Sequence, residues 1–275
     1  MNTYSIIIVA YNAPKLVERC LRSIVNNGYL GTRIREVYVV NNSVEPVDTS
    51  VVPKEYLRVI QNDKNIGFGQ AVNIAAKEAG ASHLLLLNQD AELQSNTIYS
   101  LDKFLEENPD ADVVGMRQLK HNGEVLSTLG NFPSVMRELT ALTGISRVIP
   151  VGRLIHPRGV AANQYSSSGK RSWVSGGAML VRRDKYMQVN GFDADYFMYV
   201  EDIDLCRRIT DIGGTVWYCA DAKVWHDGGQ SDVQRTAAQE ETTRGLIIYA
   251  RKHGHAVAPL VAVERTKSLV RKMLS

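Results

Sequence analysis

The chain has 275 residues, of which 44% are hydrophobic and 22% charged, and its formal net charge is +3. This length allows one large α/β domain or two small ones, and so small a net charge argues against nucleic-acid binding. The three cysteines, Cys20, Cys206 and Cys219, have no paired spacing, which indicates a reducing cytoplasm rather than a disulfide framework.

The first part of the chain alternates short apolar runs with amphipathic segments. The run YSIIIVA at 4–10 predicts a strand buried on both faces, and not a secretory signal. Further strands are predicted at 35–40, 57–60, 83–87 and 111–115. Helices are predicted after an Asn12 cap with Pro14 in the first turn, after Gly67-Phe68-Gly69 through Ala79, and after a Ser95 cap. This alternation predicts an α/β fold with right-handed βαβ units and a mostly parallel central sheet flanked by helices.

The pattern changes at about residue 118. Residues 118–171 are rich in Gly, Ser, Pro and Asn with weak periodicity, which predicts a long excursion over the site. The rest of the chain predicts a strand at 173–182, a helix at about 202–212, short strands at 215–219 and 222–225, and C-terminal helices at about 236–253 and 260–274. No segment approaches the ~20 apolar residues needed to cross a bilayer, so we expect a protein that is not integral to a membrane.

Three acids, Glu201, Asp202 and Asp204, crowd the start of the predicted helix. Capping and the helix dipole explain one or two acids at this position, but three repel one another. Crowding of carboxylates raises at least one pKa, which suits a general base near neutral pH.

A second polar group, Asn88-Gln89-Asp90, follows the buried strand at 83–87. A carboxylate at this place is well situated to hold Mg²⁺ or Mn²⁺ against a diphosphate, since these cations prefer oxygen ligands. An Asp-type turn explains the same residues without a metal. His226 follows the last predicted strand, and the adjacent Asp227-Gly228-Gly229 makes a metal-ligand role for it plausible.

Two glycine-containing segments predict close approach to the backbone. Asn65-Ile66-Gly67-Phe68-Gly69-Gln70 opens a helix, where glycines let a phosphate or a sugar come near, but it lacks the third glycine of a dinucleotide fingerprint and follows the third strand. We therefore exclude NAD binding. Ser175-Gly176-Gly177 interrupts a strand, which indicates either a close neighbour or a bulge.

The ordered set SIIIVAYN, VVNNS, NIGFGQAVN, LLLNQDA, SGGAMLVRR, GFDADYFMYVEDIDLCRR and AKVWHDGG resembles the family 2 glycosyltransferases of GT-A fold, over residues 4 to about 232. The most similar members are bacterial rhamnosyltransferase-like enzymes of O-antigen, capsule or cell-wall synthesis. The resemblance implies an inverting hexosyltransferase that moves a sugar from a nucleotide diphosphate to an acceptor hydroxyl. The best match is L-rhamnose from dTDP-rhamnose, and the alternative donor is a UDP-sugar of galactofuranose, galactose or glucose.

The resemblance also implies roles for individual residues. The donor would be bound by Ala10, Tyr11, Asn12, Asn41, Asn65, Gly67, Phe68, Asn88, Gln89 and Asp90, and the sugars by Trp173, Ser175, Gly176 and Gly177. Asp90 and His226 would hold Mn²⁺ or Mg²⁺, and Asp202, with Glu201 beside it, would be the catalytic base. Residues 1–117 would form a nucleotide-sugar-binding half, 118–235 an acceptor-binding and catalytic half, and 236–275 a helical segment.

Two departures from the family pattern, Asn41 and Asn88 where acids are usual, each remove a negative charge and predict weaker metal binding. They keep a catalytically inactive nucleotide-sugar-binding module as an alternative. A nucleotidyltransferase is a further alternative, but it would want a basic glycine-rich loop where this chain has AYNAPK.

The expected partners are a nucleotide-sugar donor and a lipid-linked or oligosaccharide acceptor, with no nucleic acid. The basic amphipathic segment 260–274 would either dock on the domain or contact the inner face of the cell membrane.

Overall fold

The architecture comes from a computed structural model that describes residues 2–133, 162–226 and 232–254. The predicted helix at 260–274, the Asp227-Gly228-Gly229 turn and the middle of the 118–171 excursion lie outside these residues.

The strands are β1 (Tyr4–Ala10), β2 (Ile34–Asn41), β3 (Leu57–Gln61), β4 (His83–Asn88), β5 (Ala91–Leu93), β6 (Val113–Leu119), β7 (Leu129–Gly130), β8 (Gly169–Lys170), β9 (Trp173–Val174), β10 (Ala178–Arg182) and β11 (Val216–His226). The helices are α1 (Pro14–Asn26), α2 (Phe68–Glu78), α3 (Thr97–Glu107), α4 (Arg183–Gln188), α5 (Glu201–Asp211) and α6 (Asp232–Lys252).

One large sheet has the strand order β3-β2-β1-β4-β10-β6-β11-β5, and β8 also pairs with β11. The strands β3, β2, β1 and β4 are parallel to one another, and so are β6 and β11, while β5 and β8 pair with β11 in antiparallel. Between these parallel groups, β10 runs antiparallel to both β4 and β6, while β7 and β9 form a small separate sheet. The predicted mostly parallel central sheet is confirmed, with β10 inserted in reverse.

Strand β1 is apolar along its length because both of its faces are covered. Ile6 and Ile8 belong to the core on the α1 and α3 side, and Ile7 belongs to the core on the α2 side. All three side chains are buried, as the unbroken run of β-branched residues predicts for an inner strand.

Local predictions differ from the structure at several element ends. Pro14 does open α1, but Ala13 takes the N-cap, and the prediction of Asn12 as cap is wrong. Asn96, and not Ser95, takes the N-cap of α3. The two short strands predicted at 215–219 and 222–225 are one strand, β11, with a register shift between Cys219 and Lys223.

The strand predicted at 173–182 is instead divided. β9 ends at Val174 and β10 begins at Ala178, and the three residues between them, Ser175-Gly176-Gly177, belong to neither strand. The antiparallel register pairs Ala178 with Leu87, so the start of β10 lies beside the end of β4. This register brings Gly177 next to Asn88.

Candidate active site

Polar residues from distant parts of the chain meet where β1 and β4 end. The Gln89 side chain joins the two chain segments, because its Oε1 accepts a bond from the Tyr11 amide at 2.7 Å and its Nε2 donates to the Tyr11 carbonyl at 3.1 Å. Because parallel strands leave the sheet at the same edge, the predicted donor residues Tyr11 and Gln89 are neighbours.

A second contact at this edge joins β4 to β11. His226 Nε2 lies 3.0 Å from Asp90 Oδ1 and 3.4 Å from Asn88 Nδ2. On the other side of the ring, His226 Nδ1 lies 2.7 Å from Gln118 Oε1 of β6. Since an amide oxygen only accepts, Nδ1 carries the proton and donates it to Gln118.

This geometry fits a divalent cation. The 3.0 Å contact between His226 Nε2 and Asp90 Oδ1 requires either a proton on Nε2 or a cation between the two atoms, since the lone pairs of a bare nitrogen and a carboxylate oxygen repel each other. Carboxylate oxygen and imidazole nitrogen are both accepted by Mn²⁺, and a histidine ligand held through its other nitrogen is the usual arrangement. The structure thus brings Asp90 and His226 into contact, and their role as metal ligands stays a prediction.

Within residues 2–133, 162–226 and 232–254, no group of three or more His, Cys, Asp or Glu side chains is arranged to hold a metal ion. Asn88, which also contacts His226, has an amide and not a carboxylate. Oxygen atoms of a bound diphosphate would have to complete the coordination, so metal and donor are expected to bind together.

The acidic pair Glu201-Asp202 lies at the first turn of α5. Asp202 Oδ2 accepts a bond from the Gly176 amide at 2.9 Å, and Oδ1 accepts one from the Ile203 amide at 2.8 Å. Burial raises the pKa of Asp202, while these two hydrogen bonds act in the opposite direction. Each oxygen keeps a second lone pair that can take a proton.

Glu201 is more deeply placed. Burial, and secondarily the negative charge of Asp202, raises the pKa of Glu201 to about 8. Its Oε2 is buried without a hydrogen-bond partner among the residues that the structure describes. At neutral pH the pair therefore holds a proton, which the pKa of about 8 places on Glu201.

Asp204 does not join this pair. It is fully buried and bonds Arg208 Nε at 2.6 Å, His253 Nε2 at 2.9 Å and the Tyr196 hydroxyl at 3.3 Å. The interpretation of three acids in one site is wrong, because Asp204 is neutralised on another face of α5. Two acids remain at the candidate site.

The glycine pair joins the two halves of the site. A Cβ on Gly176 would lie 3.5 Å from the Cβ of Asp202, whereas a Cβ on Gly177 would lie 3.0 Å from His226 Cε1 and 3.3 Å from Asn88 Nδ2. The Gly177 carbonyl also accepts the Asn88 amide at 2.9 Å. The base candidate and the metal candidates thus lie on either side of one dipeptide.

The other predicted donor residues are divided between those that face the site edge and those engaged elsewhere. Asn12 has a positive φ of 48° and donates its amide to Ser43 Oγ at 2.6 Å. Asn41 is buried, and its side chain is bonded to Glu45 and Ser43 in the loop that follows and to Gln61 at the end of β3, so its polar atoms already have partners within the protein.

Ala10 would act in donor binding only through its backbone, because its methyl group is in the core. The Ala10 carbonyl accepts the Asn42 amide at 2.8 Å. Asn65 Oδ1 accepts the Gly67 amide at 2.9 Å, and this bond shapes the turn that opens α2. Phe68 follows, and its ring approaches Gly176, since a Cβ there would lie 3.4 Å from Phe68 Cε1.

The residues predicted to contact sugars have mixed positions. Ser175 holds the turn, because its amide donates to the Thr128 carbonyl at 2.8 Å and its Oγ accepts the Gly177 amide at 3.3 Å. Trp173 packs its ring on Gly130 and donates its indole N–H to the Asn131 carbonyl at 2.9 Å. The Trp173 indole N–H is thus used within the protein.

The sequence analysis missed Gln118, the partner of His226. It lies in the inner strand β6 with 1% of its surface exposed, and its Nε2 has no hydrogen-bond partner in the described part of the chain. A buried polar residue between Arg117 and Leu119, near the end of a strand that begins with an apolar run, was the available signal.

Comparisons with known proteins decide the family. The sequence profile described as "Glycosyl transferase family 2" matches residues 5–186, and one described as "N-terminal domain of galactosyltransferase" matches residues 157–224. The chain belongs to glycosyl transferase family 2. It is therefore a glycosyltransferase, as the motifs predict.

Relatives of this glycosyltransferase carry rhamnosyltransferase names. An N-acetylglucosaminyl-diphospho-decaprenol L-rhamnosyltransferase of Mycobacterium tuberculosis is 28% identical over 278 residues, covering 93% of this chain and 87% of the relative. The rhamnosyltransferase WbbL of Escherichia coli K12 is 52% identical over 46 residues, which is 17% of each chain.

Solved structures confirm the GT-A fold. A mannosyltransferase of Pyrobaculum calidifontis, in complex with GDP-Man and Mn²⁺, has a TM-score of 0.61 at 17% identity and covers 96% of this chain and 69% of its own. The Staphylococcus aureus TarS fragment with UDP-GlcNAc has a TM-score of 0.59 at 16% identity over 90% of this chain and 65% of its own.

A helix long and apolar enough to cross a membrane does not occur among the described residues of this glycosyltransferase.

Proposed function

We propose that this glycosyltransferase moves L-rhamnose, with inversion, from dTDP-rhamnose to a hydroxyl group of a lipid-linked sugar diphosphate in cell-surface polysaccharide synthesis. The choice of sugar and of acceptor is supported by the rhamnosyltransferase relatives, one of which is named for a diphospho-decaprenol acceptor. The single observation that carries the chemistry is the position of Asp202 and the Asp90–His226 pair on opposite sides of Gly176-Gly177.

On the donor side, Asp90 and His226 would hold Mn²⁺ or Mg²⁺ together with diphosphate oxygens. A bound cation offsets the negative charge that develops on the departing diphosphate. Gln118 keeps the His226 ring in the orientation and tautomer that direct Nε2 toward Asp90. Tyr11 and Gln89, which bond each other, line the adjacent edge where the nucleotide would lie.

On the acceptor side, Asp202 is the base. The acceptor oxygen attacks the anomeric carbon, the bond from that carbon to the diphosphate oxygen breaks, and its electron pair leaves with the diphosphate. The acceptor proton passes to an Asp202 oxygen as the new bond forms. The raised pKa of Asp202 makes the carboxylate a better proton acceptor, and the protonated state of Glu201 keeps a second negative charge away from it.

The proposal divides the chain into a donor half at 1–117, an acceptor half at 118–235 and a helical segment at 236–275. It also places the transfer reaction at the inner face of the membrane, where a lipid-linked acceptor would lie. Strands from both proposed halves share the large sheet, so the halves would divide roles at one cleft.

The test is a panel of nucleotide sugars with and without Mn²⁺, read by thermal shift and then by transfer to a polyprenyl-diphospho-N-acetylglucosamine acceptor. We expect dTDP-rhamnose with Mn²⁺ to raise the unfolding temperature most, since a ligand at 100 times its Kd stabilises by about 2.7 kcal/mol. Transfer should give a glycosidic bond of opposite anomeric configuration to the donor, measured by NMR. A larger shift and turnover with a UDP-sugar would contradict the rhamnosyl assignment.

A further inference from the structure

The turn that precedes Glu201-Asp202 has a strained backbone. Tyr199 and Val200 have positive φ angles of 66° and 71°. This region is unfavourable for a β-branched residue such as Val200. Such a conformation persists only where the surrounding structure enforces it, so the contacts of this turn matter for the position of the catalytic pair.

Helix α6 contacts this turn at a glycine. A Cβ on Gly245 would lie 2.9 Å from the Tyr199 carbonyl oxygen and 2.9 Å from Val200 Cβ. Glycine is unfavourable in a helix interior compared with alanine. Its presence in the middle of α6 is explained by the close approach of the turn, which leaves no space for a methyl group.

The end of α6 is tied to the same segment. His253, which follows α6, donates from Nε2 to Asp204 Oδ1 at 2.9 Å. Lys252 pairs with Asp193 and with Asp195, the latter at 2.9 Å. Asp204 is on α5 two residues after Asp202, so these bonds fix α5 and the loop leading into it to α6.

We propose that Gly245 and His253 are positioning residues, which act through the Tyr199-Val200 turn and Asp204 to place Asp202 against the Gly176 amide. This inference rests on the proposed role of Asp202 as base. The segment is also held from the opposite side, where the Phe68 amide donates to the Phe197 carbonyl at 3.2 Å. Helix α6 is thereby part of the catalytic arrangement although neither residue would touch a substrate.

The test compares Gly245→Ala, His253→Ala and His253→Gln with the wild-type chain. Gly80→Ala is the matched control, because a Cβ there would meet only Glu36 Oε1, at 3.8 Å. Three quantities are measured: kcat for transfer, the Kd of dTDP in Mn²⁺, and the hydrogen-exchange rate of the Gly176 amide, which donates to Asp202 Oδ2. The exchange rate requires no substrate, so it tests positioning even if the rhamnosyl assignment fails.

Gly245→Ala and His253→Ala should lower kcat by about tenfold or more, because small misplacements of a reacting group are costly, while the Kd of dTDP changes less than about threefold. Exchange of the Gly176 amide should accelerate in both variants. His253→Gln should restore most of the rate, since its amide nitrogen can replace Nε2 as donor to Asp204.

Wild-type kcat and wild-type exchange in His253→Ala would overturn the proposal, and so would an equal loss of kcat and dTDP affinity, which indicates general unfolding. If Gly245→Ala does not fold, the His253 pair decides between these outcomes. A wild-type chain that fails to turn over dTDP-rhamnose contradicts the proposed function alone.

Discussion

Glu201 and Asp202 show how one helix turn gives two adjacent carboxyl groups different surroundings. Burial raises the pKa of both groups, and it raises that of Glu201 to about 8. Asp202 accepts two backbone hydrogen bonds that oppose this rise by favouring its charged form, whereas Glu201 Oε2 has no hydrogen-bond partner among the described residues. The environments of the two acids therefore favour the proton on Glu201 and the role of base for Asp202.

The raised pKa of Glu201 has a consequence for stability. In the unfolded chain Glu201 loses its proton near pH 4.5, but in the folded chain only near pH 8, so folding stability falls as pH rises between these values and is level above them. We expect Glu201→Gln to remove this fall, so that its advantage over wild type grows between pH 4.5 and 8 by an amount on the order of 5 kcal/mol. Urea unfolding at several pH values measures it. The exposed control Glu240→Gln should follow wild type, and parallel curves for Glu201→Gln would contradict the protonated state.

Asp202→Asn tests the base directly. The amide has nearly the same size but takes no proton, so we expect kcat for transfer to fall by about 10²-fold or more with little change in donor affinity. Glu201→Gln is the matched control, because it replaces a group that is already neutral and should keep most of the activity at pH 7. The reverse pattern, with turnover retained in Asp202→Asn and lost in Glu201→Gln, would assign the base to Glu201.

The turn between β9 and β10 is the element that separates the two halves of the site. Gly177 lies against His226, Gln118 and Asn88. A Cβ added to Gly177 would lie 3.0, 3.2 and 3.3 Å from these side chains, which is tighter than ordinary contacts. Gly177→Ala is expected to displace His226 and weaken Mn²⁺-dependent dTDP binding by about tenfold, the usual scale for disturbing the surroundings of a metal ligand. Isothermal titration measures the effect. Gly176→Ala is the control, since its nearest neighbours are at 3.4 Å or more; equal losses in both variants would indicate a general disturbance of the turn.

The sequence predicted helices and strands correctly where the periodic pattern extended over many residues. The predictions were wrong where a segment was short enough to fit two structures. The close neighbours predicted by the glycine pair are present, namely His226 at Gly177 and Asp202 at Gly176. The break between β9 and β10 was not predicted, because it depends on the distant residues Thr128 and Asp202. The position of Asp204 was open to a simpler deduction. Residues two apart on a helix point in different directions, which agrees with Asp204 facing Arg208 and His253 while Asp202 faces Gly176.

The family pattern predicted where along the chain the candidate side chains occur, but not which hydrogen bonds they make. Asn41 falls at the predicted strand end, but its side chain is used by Glu45, Gln61 and Ser43. Gln118 could not be found from spacing, because its partner His226 is more than a hundred residues away and on a neighbouring strand. Which hydrogen bonds a buried amide makes depends on the sheet order, which the linear sequence does not contain.

At the scale of the whole molecule, sheet order assembles the site. The parallel βαβ part was readable from alternating runs, since such units have few topologies. The insertion of β10 between β4 and β6 was not, because it pairs residues 178–182 with strands that precede it by more than 60 residues. This insertion is what places Gly176-Gly177, and with them Asp202, beside the ends of β4 and β11.

The most direct measurement is isothermal titration of dTDP-rhamnose into wild type, Asp90→Ala and Asp202→Asn, each in Mn²⁺ and in EDTA. If Asp90 and His226 hold the metal with the donor diphosphate, wild type and Asp202→Asn bind the donor equally and lose about tenfold or more in affinity in EDTA. Asp90→Ala then binds weakly and equally in both buffers. The account would be contradicted if Asp90→Ala bound the donor as tightly as wild type, with and without Mn²⁺. Donor binding and proton transfer would then not belong to the two opposite sides of one cleft.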